Sequence, residues 1–399
     1  METGRLKLFI SVLLMMLVVI LPAAAFGQKT IDIGVNASLT GFAAASEVHF
    51  RDGVVMGVEW MNEKGGITIK GEKYLLRAVV EDNKTTAEGA KAAAEKLVYD
   101  HKVKFILGAA IPYINIAAGA VTEPAKVIRG VNYSCETPAE INVNTPYTFK
   151  VNPGSIDGIT PSLDYLLEKY PQIKTFSITT PADGAEKYLI PLTEKEGLSR
   201  GLKLTGSVPW PHDTVDFYPV ITKALASHPD ALCMVNGYEQ ATGPMVKAAR
   251  EKGFKGPVLM TCYDCPYDIA EIAGKNLVAP FWTHGWSQDS DDPKLTEEMR
   301  LIIKTAKAKL GKFHQWNLWG WNGVWVVSQA IEKAQSLDTT EVANSWRKME
   351  TLKTVYGPGK MGGLKTYGIK NSVCAPVAIT EVLPDGTVKH IKWINVYIP

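Results

Sequence analysis

The sequence predicts an α/β chain built as two parallel-rich sheets flanked by helices, and three observations predict it. Strand-like and helix-like segments alternate from Thr30 to Val278, an order that demands parallel strands joined by crossover helices. The chain has 399 residues; at about 100–200 residues per domain this favours two modest sheets over a single large one. The 34 glycines and 23 prolines are spread along the chain, punctuating loops rather than forming the low-complexity tracts of collagen or disorder. The charges also nearly cancel, 43 basic against 41 acidic side chains, so the dominant basic face of a nucleic-acid binder is missing.

The first 25 residues read as an address. Arg5 and Lys7 precede an apolar run from Leu8 to Leu21, then Pro22 and Ala23-Ala24-Ala25. That is the pattern of a secretory signal peptide, cut before Phe26 or after Gly27. The run is shorter than the roughly 20 residues a spanning helix needs. No cysteine follows it for lipid attachment. The expected product is exported, soluble and without a lipid anchor.

Ile31, Ile33 and Val35 alternate with Asp32, Gly34 and Asn36 as the first strand. After Ser38-Leu39-Thr40-Gly41, one helical face carries Phe50, Val54, Val58 and Met61. Lys64-Gly65-Gly66 ends that helix with a left-handed glycine cap. A second strand from Leu75 to Val80 leads to Glu81-Asp82-Asn83, then to a helix lined by Ala87, Ala90, Ala94, Leu97 and Val98. Strands recur at 104–108, 126–132, 147–151, 174–179, 231–235 and 257–261. Lys150 to Gly154 is the expected crossing between the sheets. Helices follow at 293–310 and 316–336, Gly357-Pro358-Gly359 breaks the chain, and a hairpin turned at Pro384-Asp385-Gly386 closes it.

Five cysteines, Cys135, Cys233, Cys262, Cys265 and Cys374, leave at least one unpaired thiol in an oxidising compartment. Cys262-Tyr263-Asp264-Cys265 has the spacing of a redox pair or of half a zinc site. A zinc site would need a second pair or nearby histidines, and neither Cys233 nor Cys374 offers matching spacing. A local disulfide or two ordinary thiols are the simpler readings, so no metal or cofactor is expected.

Ser38-Leu39-Thr40-Gly41 after strand one, Asn62-Glu63-Lys64-Gly65-Gly66-Ile67 and Glu81-Asp82 resemble the periplasmic leucine/isoleucine/valine-type solute-binding proteins. Gly108, Tyr133-Ser134-Cys135-Glu136-Thr137-Pro138 and Gly237-Tyr238 extend the match over the rest of the chain. The resemblance implies two α/β lobes joined by three strand crossings, a type I periplasmic binding protein fold. Lobe one would be residues 28–150 plus 284–356, and lobe two residues 151–283 plus 357–399. It further implies a periplasmic, monomeric, non-enzymatic subunit of an ATP-driven importer, which closes on a small ligand and delivers it to a membrane permease. A sensor partnering a signalling receptor is the rival role.

In open parallel sheets, ligands lie beyond the carboxyl ends of the strands, at helix N-termini. That rule selects Ser46 after strand one, an ordinary cap otherwise, and Tyr113 after strand three. By family position, Thr137 or the backbone at Cys135 would contact the ligand where the family grips its carboxylate and amine; Thr137 can also simply cap the turn before Pro138. In lobe two, the family's tyrosine is missing from Pro181–Glu186, and Tyr238 matches a family contact. Asp264 matches the counter-ion to a ligand ammonium, or is a turn-forming aspartate. Phe42, Tyr113, Tyr133, Tyr238 and Tyr263 fall in rim turns, more ring surface than a small aliphatic amino acid needs. The four tryptophans from Trp316 to Trp325 read mostly as core or inter-lobe packing. The expected ligand is a small carboxylate, with a branched-chain or aromatic amino acid favoured over an amine-free acid. Among the seven histidines there is no His-Glu-x-x-His, and the chain has no Gly-x-Ser-x-Gly elbow and no phosphate loop.

Overall fold

The structure, a computed structural model, describes residues 28–108, 110–131, 137–262, 265–275 and 277–399; the signal-peptide reading lies outside them. The chain begins with β1 (Lys29–Ala37), α1 (Ala44–Glu63), β2 (Ile67–Ile69), β3 (Glu72–Asp82), α2 (Ala87–Glu95) and β4 (Phe105–Leu107). α3 (Pro112–Thr122), β5 (Ile128–Val131) and β6 (Thr148–Lys150) follow. Next come α4 (Ser155–Lys169), β7 (Thr175–Pro181), α5 (Glu186–Leu198), β8 (Lys203–Trp210), α6 (Tyr218–Leu225) and β9 (Ala231–Met234). α7 (Glu239–Glu251), β10 (Val258–Met260), α8 (Pro266–Ala273) and β11 (Phe281–Thr283) complete that run. The chain then makes α9 (Glu297–Leu310), α10 (Gln315–Ala334), α11 (Thr339–Arg347), β12 (Leu352–Thr354), β13 (Gly357–Gly362), α12 (Leu364–Tyr367) and β14 (Ser372–Cys374). It ends in the hairpin β15 (Val377–Val382) and β16 (Val388–Ile394).

Two sheets result. One has the order β12-β13-β14-β6-β5-β4-β1-β3-β2, the other β16-β15-β11-β10-β9-β7-β8. β1 lies parallel between β3 and β4, with Val35 opposite Val80 on one side and Leu107 on the other. Flanked on both sides by strands and on both faces by helices, β1 buries Gly34 and Asn36 along with its aliphatic residues. Such a strand need not alternate.

The chain passes from the first sheet to the second after β6 and back after β11. The third passage differs from the expected boundary before Gly357. β13 pairs antiparallel with β12 and β14, and Ser372 of β14 pairs with Lys150 of β6. Residues 357–374 therefore stay with the first sheet, and only β15 and β16 join the second. Gly357-Pro358-Gly359 is accordingly the start of a strand and not a break. Pro358 pairs with Lys353, in a stretch where β14 has not yet joined on the other side, so its missing N–H costs no ladder bond.

α1 and α10 lie side by side and run in the same direction. His49 stacks on His314 at 4.5 Å, and Asn317 Nδ2 donates to the His49 carbonyl at 2.8 Å. Further along, Gly53 meets Asn317 and Gly320 meets Phe50 so closely that an added Cβ would fall 2.2 Å from a carbonyl oxygen in either case. Glycine at both positions brings the two helix N-termini together at the cleft.

Candidate functional site

A small cleft pocket, with a cavity volume of about 40 Å³, is lined from both lobes. Lobe one contributes the turn after β1 with the start of α1 (Phe42, Ser46, Glu47), the turn after β4 (Ile111, Pro112) and Trp316 of α10. Lobe two contributes Asp183 after β7, His212 after β8, and Asn236, Tyr238 and Gln240 around the end of β9. Every strand-derived lining residue follows the carboxyl end of a parallel strand, as the sheet rule requires.

Glu47 is fully buried in the first turn of α1. Its Oε2 accepts the Ser38 backbone N–H at 2.6 Å, while Oε1 has no hydrogen-bond partner among the described residues. Burial pushes its carboxyl up to about 7. Across the cleft, Asn236 takes a left-handed backbone, φ 53°, which asparagine tolerates better than most residues. Its Nδ2 donates to Asp183 Oδ2 at 3.1 Å, and the other Asp183 oxygen accepts from the Ala185 N–H at 2.9 Å. Asp183 Oδ2 in turn sits 3.6 Å from His212 Nε2. The imidazole lies between Phe42 and Tyr238, with ring centroids at 5.3 and 5.8 Å; Tyr113 and Trp210 present their rings edgewise at 6.2 and 6.1 Å. Among the described residues, no lining residue is a lysine or arginine. α3 opens toward the pocket with Ile111 as its N-cap and no side-chain cap, so its N-terminal dipole is available to an anion.

Ser46 and Tyr238 of the expected contacts line the pocket. Ser46 is not the cap of α1, whose N-cap position is Ala43 and carries no side-chain cap; its hydroxyl donates across the cleft to Glu239 Oε1 at 2.6 Å. Burial raises the Tyr238 hydroxyl well above its ordinary range. Tyr113 reaches the site through its edge contact with His212, and burial, followed by the nearby Asp183 and Glu47, raises its hydroxyl as well. Thr137 is not brought to the pocket, because its N–H and hydroxyl both point to Glu140 Oε2, at 3.3 and 3.2 Å. Cys135 and Asp264 lie outside the described residues, as do Tyr133 and Tyr263. Sequence reasoning missed Glu47, His212 and Asn236, and read Trp316 as core or inter-lobe packing, of which the cleft position fits the second. His212 carried a signal: it follows a strand, but Gly206 and Pro209 hid that strand's alternation.

The fold also supplies the histidine that a zinc reading of the Cys262–Cys265 segment lacked. Ligand atoms of Cys265, Asp268 and His314 lie within 4.8 Å of one another. His314 Nδ1, however, accepts the Trp316 N–H at 3.3 Å as the cap of α10. A neutral His314 therefore carries its proton on Nε2, whereas a metal-bound histidine donates from its other nitrogen. That proton faces Asp268 Oδ2 at 3.3 Å and Glu239 Oε1 at 3.7 Å. Burial works to raise the Asp268 carboxyl, and hydrogen bonds from His314 and Cys265 overcome it and hold the group below its usual range. The cluster is a second polar link across the cleft.

The model of the periplasmic binding protein family matches residues 30–386. The chain belongs to that family. This periplasmic binding protein is 25% identical over 337 residues to Leu/Ile/Val-binding protein homolog 2 of Brucella abortus, spanning 82% of its own chain and 85% of the homologue. Two solved structures share its fold. The branched-chain amino acid transporter substrate-binding protein LivJ of Streptococcus pneumoniae, in complex with isoleucine, superposes with a TM-score of 0.72 at 20% identity, covering 92% of this chain and 100% of that one. A solute-binding protein from R. palustris in complex with 4-hydroxybenzoate gives 0.75 at 19%, covering 92% and 98%. The periplasmic binding protein is thus a type I, two-lobe member of a solute-binding family. Among the described residues, no helix is long and apolar enough to cross a membrane.

Proposed function

We propose that this protein is the exported substrate-binding subunit of an ABC importer and that its ligand is an amino acid with a branched or aromatic side chain. The observation that carries the ligand reading is Glu47, a buried carboxyl in a pocket lined by no lysine or arginine, with one oxygen unpartnered among the described residues. An ammonium group supplies the missing donor and stabilises the charged carboxylate. The uncapped start of α3 suits the ligand's carboxylate, and the aromatic walls suit its side chain. The second reading, an amine-free aromatic acid, draws on the hydroxybenzoate complex of the structural neighbour.

A thermal-shift screen of amino acids against amine-free aromatic and aliphatic acids tests this. Amino acids should raise Tm in the wild type and much less in Glu47→Gln. Stabilisation by amine-free acids alone would overturn the amine reading. For the transport role, capture from native membranes should recover a permease; a histidine kinase or chemoreceptor in its place would make the protein a sensor.

A further inference from the structure

His212 is the least satisfied group in the pocket. Both ring nitrogens are shielded from solvent, and neither makes a hydrogen bond to a described residue. A buried polar atom without a partner costs free energy and calls for an explanation. Packing of the ring is not in question, since Phe42 and Tyr238 stack on its faces and Tyr113 and Trp210 meet it edgewise. A phenylalanine would fill that slot without orphaned nitrogens. The polar ring therefore answers to something other than packing.

What fixes its polarity is the chain of groups behind it. Ser155 Oγ donates to Asn236 Oδ1 at 3.4 Å, Asn236 Nδ2 donates to Asp183 Oδ2, and that same oxygen sits 3.6 Å from His212 Nε2. A carboxylate on that side favours the tautomer with its proton on Nε2. Nδ1 is then a hydrogen-bond acceptor held within a box of aromatic rings. An acceptor in such a place recognises a donor at the end of a flat, apolar group.

We propose that His212 selects ligands whose aromatic ring ends in a hydrogen-bond donor, a phenol hydroxyl or an indole N–H, over the same ligands without it. The proposal deepens the binding role proposed above and rests on it, but not on whether the ligand carries an amine. His212, positioned by Asp183 and Asn236, is the specificity residue. A site whose buried polar group is left unpaired by the wrong ligand rejects that ligand far more strongly than a missing methylene is rejected.

Titration calorimetry with two matched pairs separates the questions: tyrosine against phenylalanine, and 4-hydroxybenzoate against benzoate. In whichever pair binds, the hydroxylated member should bind about ten- to hundredfold more tightly. His212→Phe keeps the stacked ring and should bring that ratio close to one, mainly by weakening the hydroxylated ligand. His212→Gln, which retains an acceptor, should keep part of the preference. Equal affinities within the binding pair, or an undiminished ratio in His212→Phe, would overturn the proposal. Failure of both amino acids beside a clear preference for 4-hydroxybenzoate would overturn the amine reading and leave the His212 assignment standing. If neither pair binds, the proposal falls.

Discussion

The first passage between the lobes and the cleft opposite it both join lobe one to lobe two, and they are built in opposite ways. At the passage, Lys150 of β6 forms an ion pair with Asp157 of α4, and neither side chain has any solvent exposure. Asp157 also accepts the Gly154 N–H at 2.7 Å, and Asn152 Oδ1 accepts from Asn322 Nδ2 at 3.0 Å and the Tyr356 hydroxyl at 2.8 Å. In the cleft, the polar links include the Ser46–Glu239 bond and the His314–Asp268 contact, beside the stacking of Phe42 on His212, and the Asp268 side chain is 41% exposed. Polar atoms of Glu47 and His212 are left without described partners. The difference teaches where rigidity is wanted. Charges at the passage are paired with each other and keep one geometry. Polar groups in the cleft, under the binding role proposed above, would be free to meet a ligand and would be linked by contacts that can break if the lobes rotate.

The largest effect should come from breaking the passage. Lys150→Met strands a buried Asp157 carboxylate and should cost ~3–5 kcal/mol in urea unfolding, with Lys150→Met/Asp157→Leu recovering most of it. A loss below about 1 kcal/mol would erase the contrast between the two regions.

Next comes the pH dependence of Glu47. Its folded-state value of about 7 lies above its ordinary 4.5, so the folded protein holds this proton more tightly than the unfolded chain does. The group carries no penalty below pH 4.5, a growing one from pH 4.5 to about 7, and a constant one above, ~3 kcal/mol in all. Glu47→Gln should remove that slope from the pH profile of ligand-free stability, and a saturating amine ligand should flatten it.

A smaller change is expected from Ser46→Ala, which removes the bond to Glu239 and a long one accepted from Gln240 Nε2 at 3.4 Å, about 1 kcal/mol together because the Gln240 amide still donates to Glu239. It should appear in solution scattering as a larger radius of gyration without ligand and a restored compaction with it. An unchanged radius with and without ligand in the wild type would count against closure altogether. Val215, 96% exposed beyond β8, belongs to neither region, and Val215→Ser should stay within about 0.5 kcal/mol of the wild type.

Much of the scaffold was legible because its signals are local. Phe50, Val54, Val58 and Met61 share the buried face of α1 as their spacing requires, and Gly65 ends the helix with φ 96°. Ser46, selected by the strand-end rule, and Tyr238, selected by family position, both line the pocket. β8 escaped because Gly206 and Pro209 interrupt it; it is an edge strand, where proline is tolerated, and with it went His212. β13 escaped because Gly-Pro-Gly reads as a stop unless the hairpin partner β12 is known. Thr137 followed family position, yet its hydroxyl had a nearer acceptor three residues on. The link from Ser46 to Glu239 spans 193 residues, and no periodicity encodes a contact made only by folding.

The glycine-lined seam between α1 and α10 makes Ser46, Glu47, His314 and Trp316 a single mechanical part, though almost three hundred residues separate its ends in the chain. Either helix can shift only by dragging the other, since there is no side-chain layer between their backbones at Gly53 and Gly320 to absorb the motion. A chimaera that exchanges one of these helices for that of a relative would inherit half a binding surface in a displaced frame. Exchanging both together would carry the whole lobe-one wall across intact. For this protein, the transplantable unit of specificity is the helix pair.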